Sequence, residues 1–151
     1  MTRVDFYILG DPGLDAGLRF SCKLAAQIAK DNTPLHISVD DMQQAKELDE
    51  LMWDYPRHRF LPHKIVAENI GKDETSAEDC LIHIGTQEPL VSEGVLINLG
   101  TNVPAFFGRF ERVAEIVVGE TKEAGRARFR HYRERGYPLY DHHLTDWEQA
   151  N

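Results

Sequence analysis

Lys122, Arg126, Phe129, Arg130 and Arg133 fall at offsets of 4, 7, 8 and 11 from Lys122. That spacing brings side chains to neighbouring positions on one face of a helix. A cationic stripe beside an aromatic ring suits an anionic partner that also carries an apolar group, such as an acidic peptide ending in a carboxylate. A purely solvated helix face has the same composition, and the spacing alone leaves both readings open.

A second group of residues has recognition chemistry rather than charge. The segment Leu48-Asp-Glu-Leu-Met-Trp-Asp-Tyr-Pro-Arg-His-Arg-Phe-Leu-Pro-His63 places Trp53, Tyr55, Phe60 and Leu61 in and around a loop bounded by Pro56 and Pro62. Large rings in such a position are harder to bury than rings in a strand, and aromatics are enriched at interface hot spots. The alternative is that Trp53 and Phe60 plug the sheet edge.

Catalytic and metal patterns are weaker. Gly10-Asp-Pro-Gly13 lies where a dinucleotide-binding protein carries its glycine fingerprint, but it is neither Gly-x-Gly-x-x-Gly nor a Gly-Lys-Ser/Thr loop. Asp11 there puts a negative charge where a phosphate would sit, so a tight turn is expected. The histidines (His36, His58, His63, His83, His131, His142, His143) make no His-x-x-x-His pair. His36 and His83 fall in expected strands, and His142 and His143 in an expected solvated tail. No serine occupies a nucleophile elbow. Cys22 and Cys80 have neither metal-ligand nor disulfide-framework spacing, so they are expected as buried thiols in a reducing compartment. No metal and no cofactor is expected.

The elements that must position these residues follow from periodicity. Val4-Asp-Phe-Tyr-Ile-Leu9 is a strand ending at the Gly10–Gly13 turn; apolar positions from Leu14 to Lys30 recur at helical spacing until Pro34 intervenes. Leu35–Val39 is a strand, and Asp40 or Asp41 caps a helix with Met42, Ala45, Leu48, Leu51 and Met52 on its apolar face. Strands are expected at 64–67, 80–84, 94–99 and 112–118, a short helical stretch at 104–110 and a long helix at 121–135, with a polar loop at 71–79. Strand alternating with helix implies a three-layer Rossmann-like α/β domain, its mainly parallel sheet covered by helices on both faces.

The 151 residues suit one domain over 1–151, with about 140–151 as a loosely ordered tail. The longest apolar runs are far short of the roughly 20 residues that cross a bilayer, and the start is unlike a signal peptide, so a cytoplasmic location is expected. Seventeen Lys and Arg against 25 Asp and Glu give a net charge of −8, unsuited to coating nucleic acid. Residues 1–100 carry all of that excess, with 9 basic and 17 acidic side chains, whereas 101–151 balance at 8 and 8. Between Glu120 and Arg135 six basic residues face three acidic ones, a local positive segment on an acidic chain.

Several of these segments together resemble the chi subunit of bacterial DNA polymerase III. They are Phe6-Tyr-Ile-Leu9, Val39-Asp-Asp with Gln44-Ala45, Leu48-Asp-Glu-Leu-Met-Trp53 and Phe60-Leu-Pro-His63. In the second half they are Leu96-Ile-Asn-Leu99, Phe110 leading into Val113–Val118, and Arg126-x-Arg-Phe-x-x-Tyr-Arg133 before Gly136-Tyr137. The resemblance spans nearly the whole chain and is thinnest over 67–79. It implies a nucleotide-binding-like fold with no nucleotide and no catalytic site, acting as an accessory subunit of a DNA-directed DNA polymerase. It implies an adaptor that pairs with the psi subunit of the clamp loader and grips the acidic C-terminal tail of single-stranded-DNA-binding protein, touching nucleic acid only indirectly. Carried over by position, Trp53 and Phe60, with Leu61 and Pro62 beside them, match the psi-binding face, for which a helicase competes. Val117, Lys122, Arg126 and Phe129, with Arg130 beside them, match the pocket for the tail, Phe129 standing where the family has tyrosine. A small nucleotide-using enzyme and a direct single-stranded-DNA binder are the rival readings.

Overall fold

The computed structural model describes residues 2–55, 62–66, 81–89 and 93–148. Its strands are β1 (Arg3–Leu9), β2 (Leu35–Ser38), β3 (His63–Ile65), β4 (Ile82–Gly85), β5 (Val95–Asn98), β6 (Arg112–Val117) and β7 (Leu139–Leu144). They form one sheet in the order β3-β4-β2-β5-β6-β1-β7, and every pairing is parallel. All residues of β2 and β5 are buried, as expected for strands covered on both sides, which read as continuous rather than alternating apolar runs.

Helices α1 (Leu14–Ala29) and α2 (Met42–Asp54) cover one face, where Cys22, Ala25, Leu48 and Met52 pack with Ile37, Ile84 and Ile97. Helix α3 (Lys122–Glu134) and a 3-10 turn (Phe107–Arg109) cover the other, packing Phe107, Phe110 and Tyr132 with Val4, Phe6, Leu96 and Val113. The three-layer architecture is thus the expected one. Asp41 is the α2 cap, its carboxylate accepting from the Gln44 N–H at 2.8 Å. Cys22 is fully buried, which pushes its thiol up to about 12. Cys80, His58 and the expected 71–79 loop lie outside the described residues.

Two expectations change. The segment expected as a loosely ordered tail begins instead within β7, paired with β1 from Val4↔Leu139 to Leu9↔Leu144. Beyond it Trp147 is buried, its Nε1–H donating to Asp11 Oδ1 at 2.9 Å, while Lys23 Nζ donates to the Trp147 carbonyl at 2.6 Å. Arg19 then forms a two-bond pair with Glu148 at 2.9 and 3.0 Å, which straps the segment across α1. His142 is accordingly part of a partly solvent-open cluster on Asp5 rather than a solvated tail, whereas His143 is exposed and pairs with Asp141.

The Gly10–Gly13 turn is a turn, and its chemistry is opposite to a phosphate cradle. The N–H groups of Gly119 and Glu120 donate to the carbonyls of Asp11 and Pro12 at 3.0 and 2.9 Å. The loop therefore offers acceptors at the place where a phosphate would need donors.

Candidate functional site

The distinctive surface is built on α3, so the helix start matters first. The 3-10 turn Gly119–Thr121 leads from β6 into the helix, and Thr121 Oγ1 accepts from the Val118 N–H at 3.0 Å. Gly125, Arg128 and Tyr132 then face the sheet, at the offsets of 3 and 7 that a buried helical stripe requires. Gly125 sets the approach: a Cβ there would lie 2.9 Å from Val117 Cγ2. With no side chain at 125, α3 sits directly on Val117.

One charged residue of the helix is turned inward. Arg128 is 3% exposed; its Nε donates to Glu115 Oε1 at 2.7 Å and its Nη1 to the Thr101 carbonyl at 3.0 Å. Glu115, in the middle of β6, also accepts from Tyr132 Oη at 2.6 Å and from Asn98 Nδ2 at 3.0 Å. Burial pushes the Glu115 carboxyl up and Arg128 pulls it back; the net direction is upward. Arg128, counted among six cations in the sequence, therefore contributes nothing to the surface stripe. The signal was a lone glutamate in the apolar run Val113-Ala-Glu-Ile-Val117, which needs a buried partner.

Lys122, Arg126, Arg130 and Arg133 are exposed and lie along the outer side of α3. Phe129 borders them, half-buried, its ring edge-on to Phe6 with centroids 5.2 Å apart. Val117 belongs to the same apolar cluster as Phe129 but is only 4% exposed, so it forms the floor beneath the helix rather than a wall open to solvent. The five expected residues are thus gathered around one helix: three cations outward, one ring at the boundary, one aliphatic side chain below.

The aromatic segment sits elsewhere. Trp53, in the last turn of α2, is 53% exposed and lies over His63 with ring centroids 4.5 Å apart. His63 is itself fixed to Asp49. Trp53 therefore lies against the edge strand β3 and still exposes half of its surface. Pro62, which precedes His63, is exposed; Phe60 and Leu61 lie outside the described residues. β3, which adjoins this corner, and β6, under α3, are four strand spacings apart, roughly 19 Å. The two groups also lie toward opposite faces of the sheet.

Among the described residues no group of three or more His, Cys, Asp or Glu could hold a metal ion, and no helix is long and apolar enough to cross a membrane. A small cavity of about 90 Å³ opens at the carboxyl ends of the strands between Leu14, Leu99 and Val118. Asp40 at its edge is occupied by Thr101, accepting from its N–H at 2.9 Å and its hydroxyl at 2.7 Å.

Comparison with known proteins gives a consistent family. Residues 1–140 match the family described as DNA polymerase III chi subunit, HolC. The chain is 36% identical over 147 residues to the DNA polymerase III subunit chi of Pseudomonas aeruginosa, covering 95% of this chain and 98% of that protein. It is 28% identical over 145 residues to the subunit of the same name from Escherichia coli, covering 92% and 96%. The Haemophilus influenzae subunit is 29% identical over 136 residues, covering 89% and 92%.

Proposed function

The chain belongs to the DNA polymerase III chi subunit family, an accessory component of the replication machinery, and from that premise we propose that it is a non-catalytic cytoplasmic adaptor. One face captures the acidic C-terminal tail of single-stranded-DNA-binding protein; the other binds the psi subunit of the clamp loader, with a helicase as competitor.

The observation that carries the reading is the outer side of α3. Lys122, Arg126 and Arg130 point to solvent beside the half-buried Phe129 ring, and among the described residues none of the three makes an ion pair. A tail of aspartates ending in an aromatic residue needs cations for its carboxylates and an apolar slot for its ring. The guanidinium of Arg126 and the ammonium of Lys122 serve the first need, Phe129 over the Val117 floor the second. Charge-assisted hydrogen bonds of this kind contribute about 1.5–3 kcal/mol each, and salt weakens them. On the other face, exposed Trp53 over His63 supplies an aromatic anchor for the second partner.

Calorimetric titration with a synthetic acidic peptide ending in phenylalanine tests this directly. Arg126→Ala lowers affinity by about tenfold or more, as does removal of the terminal phenylalanine, while Trp53→Ala leaves peptide binding intact and releases psi. Peptide binding that survives both Arg126→Ala and loss of the phenylalanine overturns the site.

A further inference from the structure

The face of the sheet opposite α3 holds a second cationic cluster that the adaptor reading does not use. Because residues paired in register share a face, Arg3, Asp5 and Tyr7 of β1 stand beside Arg112 of β6 and Tyr140 and His142 of β7. The first residues of β1 and β6 lie here, and the side chains remain open to solvent: Arg3 is about half exposed and Tyr140 is 46% exposed. Apolar residues are replaced in this corner by charge and rings.

A single buried carboxylate organises it. Asp5 is 0% exposed and accepts from Arg3 Nη2 at 3.1 Å, Arg112 Nε at 2.9 Å and His142 Nε2 at 2.9 Å. Arg112 Nη2 also donates to Tyr7 Oη. One negative charge thus holds two guanidiniums, so the cluster is net positive even with His142 neutral. Among the described residues Nη1 of both arginines stays outside these bonds. The rings are ordered with the cations: Arg3 Cζ lies 4.1 Å from the Tyr140 centroid, and His142 stacks on Tyr7 at 4.9 Å. The acid next in sequence, Asp141, points to the other face and meets His143 there.

We propose that Arg3, Arg112 and Tyr140 form a second anion site, which takes one or two phosphodiesters of single-stranded DNA with an unstacked base against Tyr140. Fixed arginines beside an exposed ring are the combination that single-stranded nucleic acid requires: donors for the backbone and a platform for a base. An acidic peptide carrying a ring offers complementary groups too, and displacement of the strand by such a peptide is one of the outcomes that overturns the assignment. The net charge of −8 confines the contact to this corner, since a longer track of phosphates would meet the acidic surface. The site stands on its own observations and does not depend on tail capture by α3.

Fluorescence anisotropy of a labelled oligo(dT) with the purified full chain alone, at about 50 mM salt, tests it. Wild type binds saturably; Arg3→Glu weakens binding about tenfold and lowers the slope of log affinity against log salt by about one. Tyr140→Ala weakens it about fivefold or more, and Arg126→Ala leaves it unchanged. The proposal fails if wild type shows no saturable binding, or if Arg3→Glu and Tyr140→Ala titrate as wild type. It fails equally if Arg126→Ala abolishes the signal, or an acidic peptide displaces the oligonucleotide, either of which would put the strand on α3. Inorganic phosphate competing as well as the oligonucleotide, phosphate for phosphate, would make the ligand free phosphate and overturn the assignment to DNA.

Discussion

Two buried carboxylates on adjacent strands have opposite surroundings. Glu115 on β6 is sealed under α3 with one arginine, one tyrosine hydroxyl and one amide. Asp5 on β1, beneath the other face, meets two arginines and a histidine that reach solvent. Burial pushes both carboxyls up. At Glu115 it wins; at Asp5 the His142 and Arg3 hydrogen bonds and the Arg112 charge outweigh it, and the group is held below the usual carboxylate range. A closed pair is structure, its one buried guanidinium bound to the carboxylate and to the Thr101 carbonyl. An open cluster with more cations than anions has charge left over for a ligand.

The largest effect expected from breaking this contrast is at Arg128. Arg128→Ala leaves Glu115 buried without its cation and costs about 3–5 kcal/mol of unfolding free energy in chemical denaturation. The sign of its pH dependence is also fixed. A carboxyl whose folded value lies above its unfolded value contributes stability at low pH and loses it as pH rises through the folded value. With Arg128 gone the carboxyl is pushed further up, so the variant gains stability as pH falls from neutrality. A variant equally destabilised at all pH values would show that Arg128 acts by packing alone.

Asp5→Asn is expected to cost less, about 1–3 kcal/mol at neutral pH, because its cations are partly solvated and can turn to water. Here the slope belongs to the wild type. Asp5 lies below its unfolded value of 3.8, so its contribution is present above that value and is lost as pH falls through the folded one. The gap between wild type and Asp5→Asn therefore closes at acid pH by the wild type losing stability, whereas Arg128→Ala closes its gap by the variant gaining it. Denaturation midpoints between pH 3 and 8 separate the two behaviours, and parallel curves would remove the distinction between sealed and open carboxylates.

Which parts of this were legible in the sequence follows from which interactions are local. The helices at Leu14, Met42 and Lys122 show in the sequence because one side of each meets the core, and the strands at Leu35, Ile82, Val95 and Arg112 show as short, largely apolar runs because they are buried on both sides or nearly so. β7 did not show: Leu-Tyr-Asp-His-His-Leu144 has one leucine on each face of an edge strand, too little for a period, and pairing with β1 and the bond from His142 to Asp5, 137 residues away, help to hold it. Trp147 likewise finds Asp11 at the far end of the chain. The outward cations of α3 were readable from helical offsets, but the inward turn of Arg128 depends on Glu115 across the layer. Phe129 was legible as a ring on the stripe; that Gly125 lets the helix close over Val117 was not, since it needs the packing distance.

The smallest stability effect sharpens the same contrast within one helix. Arg126 and Arg128 are the same residue type two positions apart, and the 3.6-residue period puts one in solvent and the other against the sheet. Arg126→Ala removes a guanidinium that no described side chain needs in the folded state, and alanine is at least as good a helix former. Its unfolding free energy is expected to stay within about 0.5 kcal/mol of wild type, measured in the same denaturant series that shows Arg128→Ala to be several kcal/mol weaker. If Arg126→Ala were instead destabilising by more than about 1 kcal/mol, the outer face of α3 would be holding the fold together, and loss of peptide binding in that variant could no longer be assigned to a missing contact. A neutral Arg126→Ala leaves the outer cations with no structural duty, which is the condition under which a ligand is the physical reason for keeping them together.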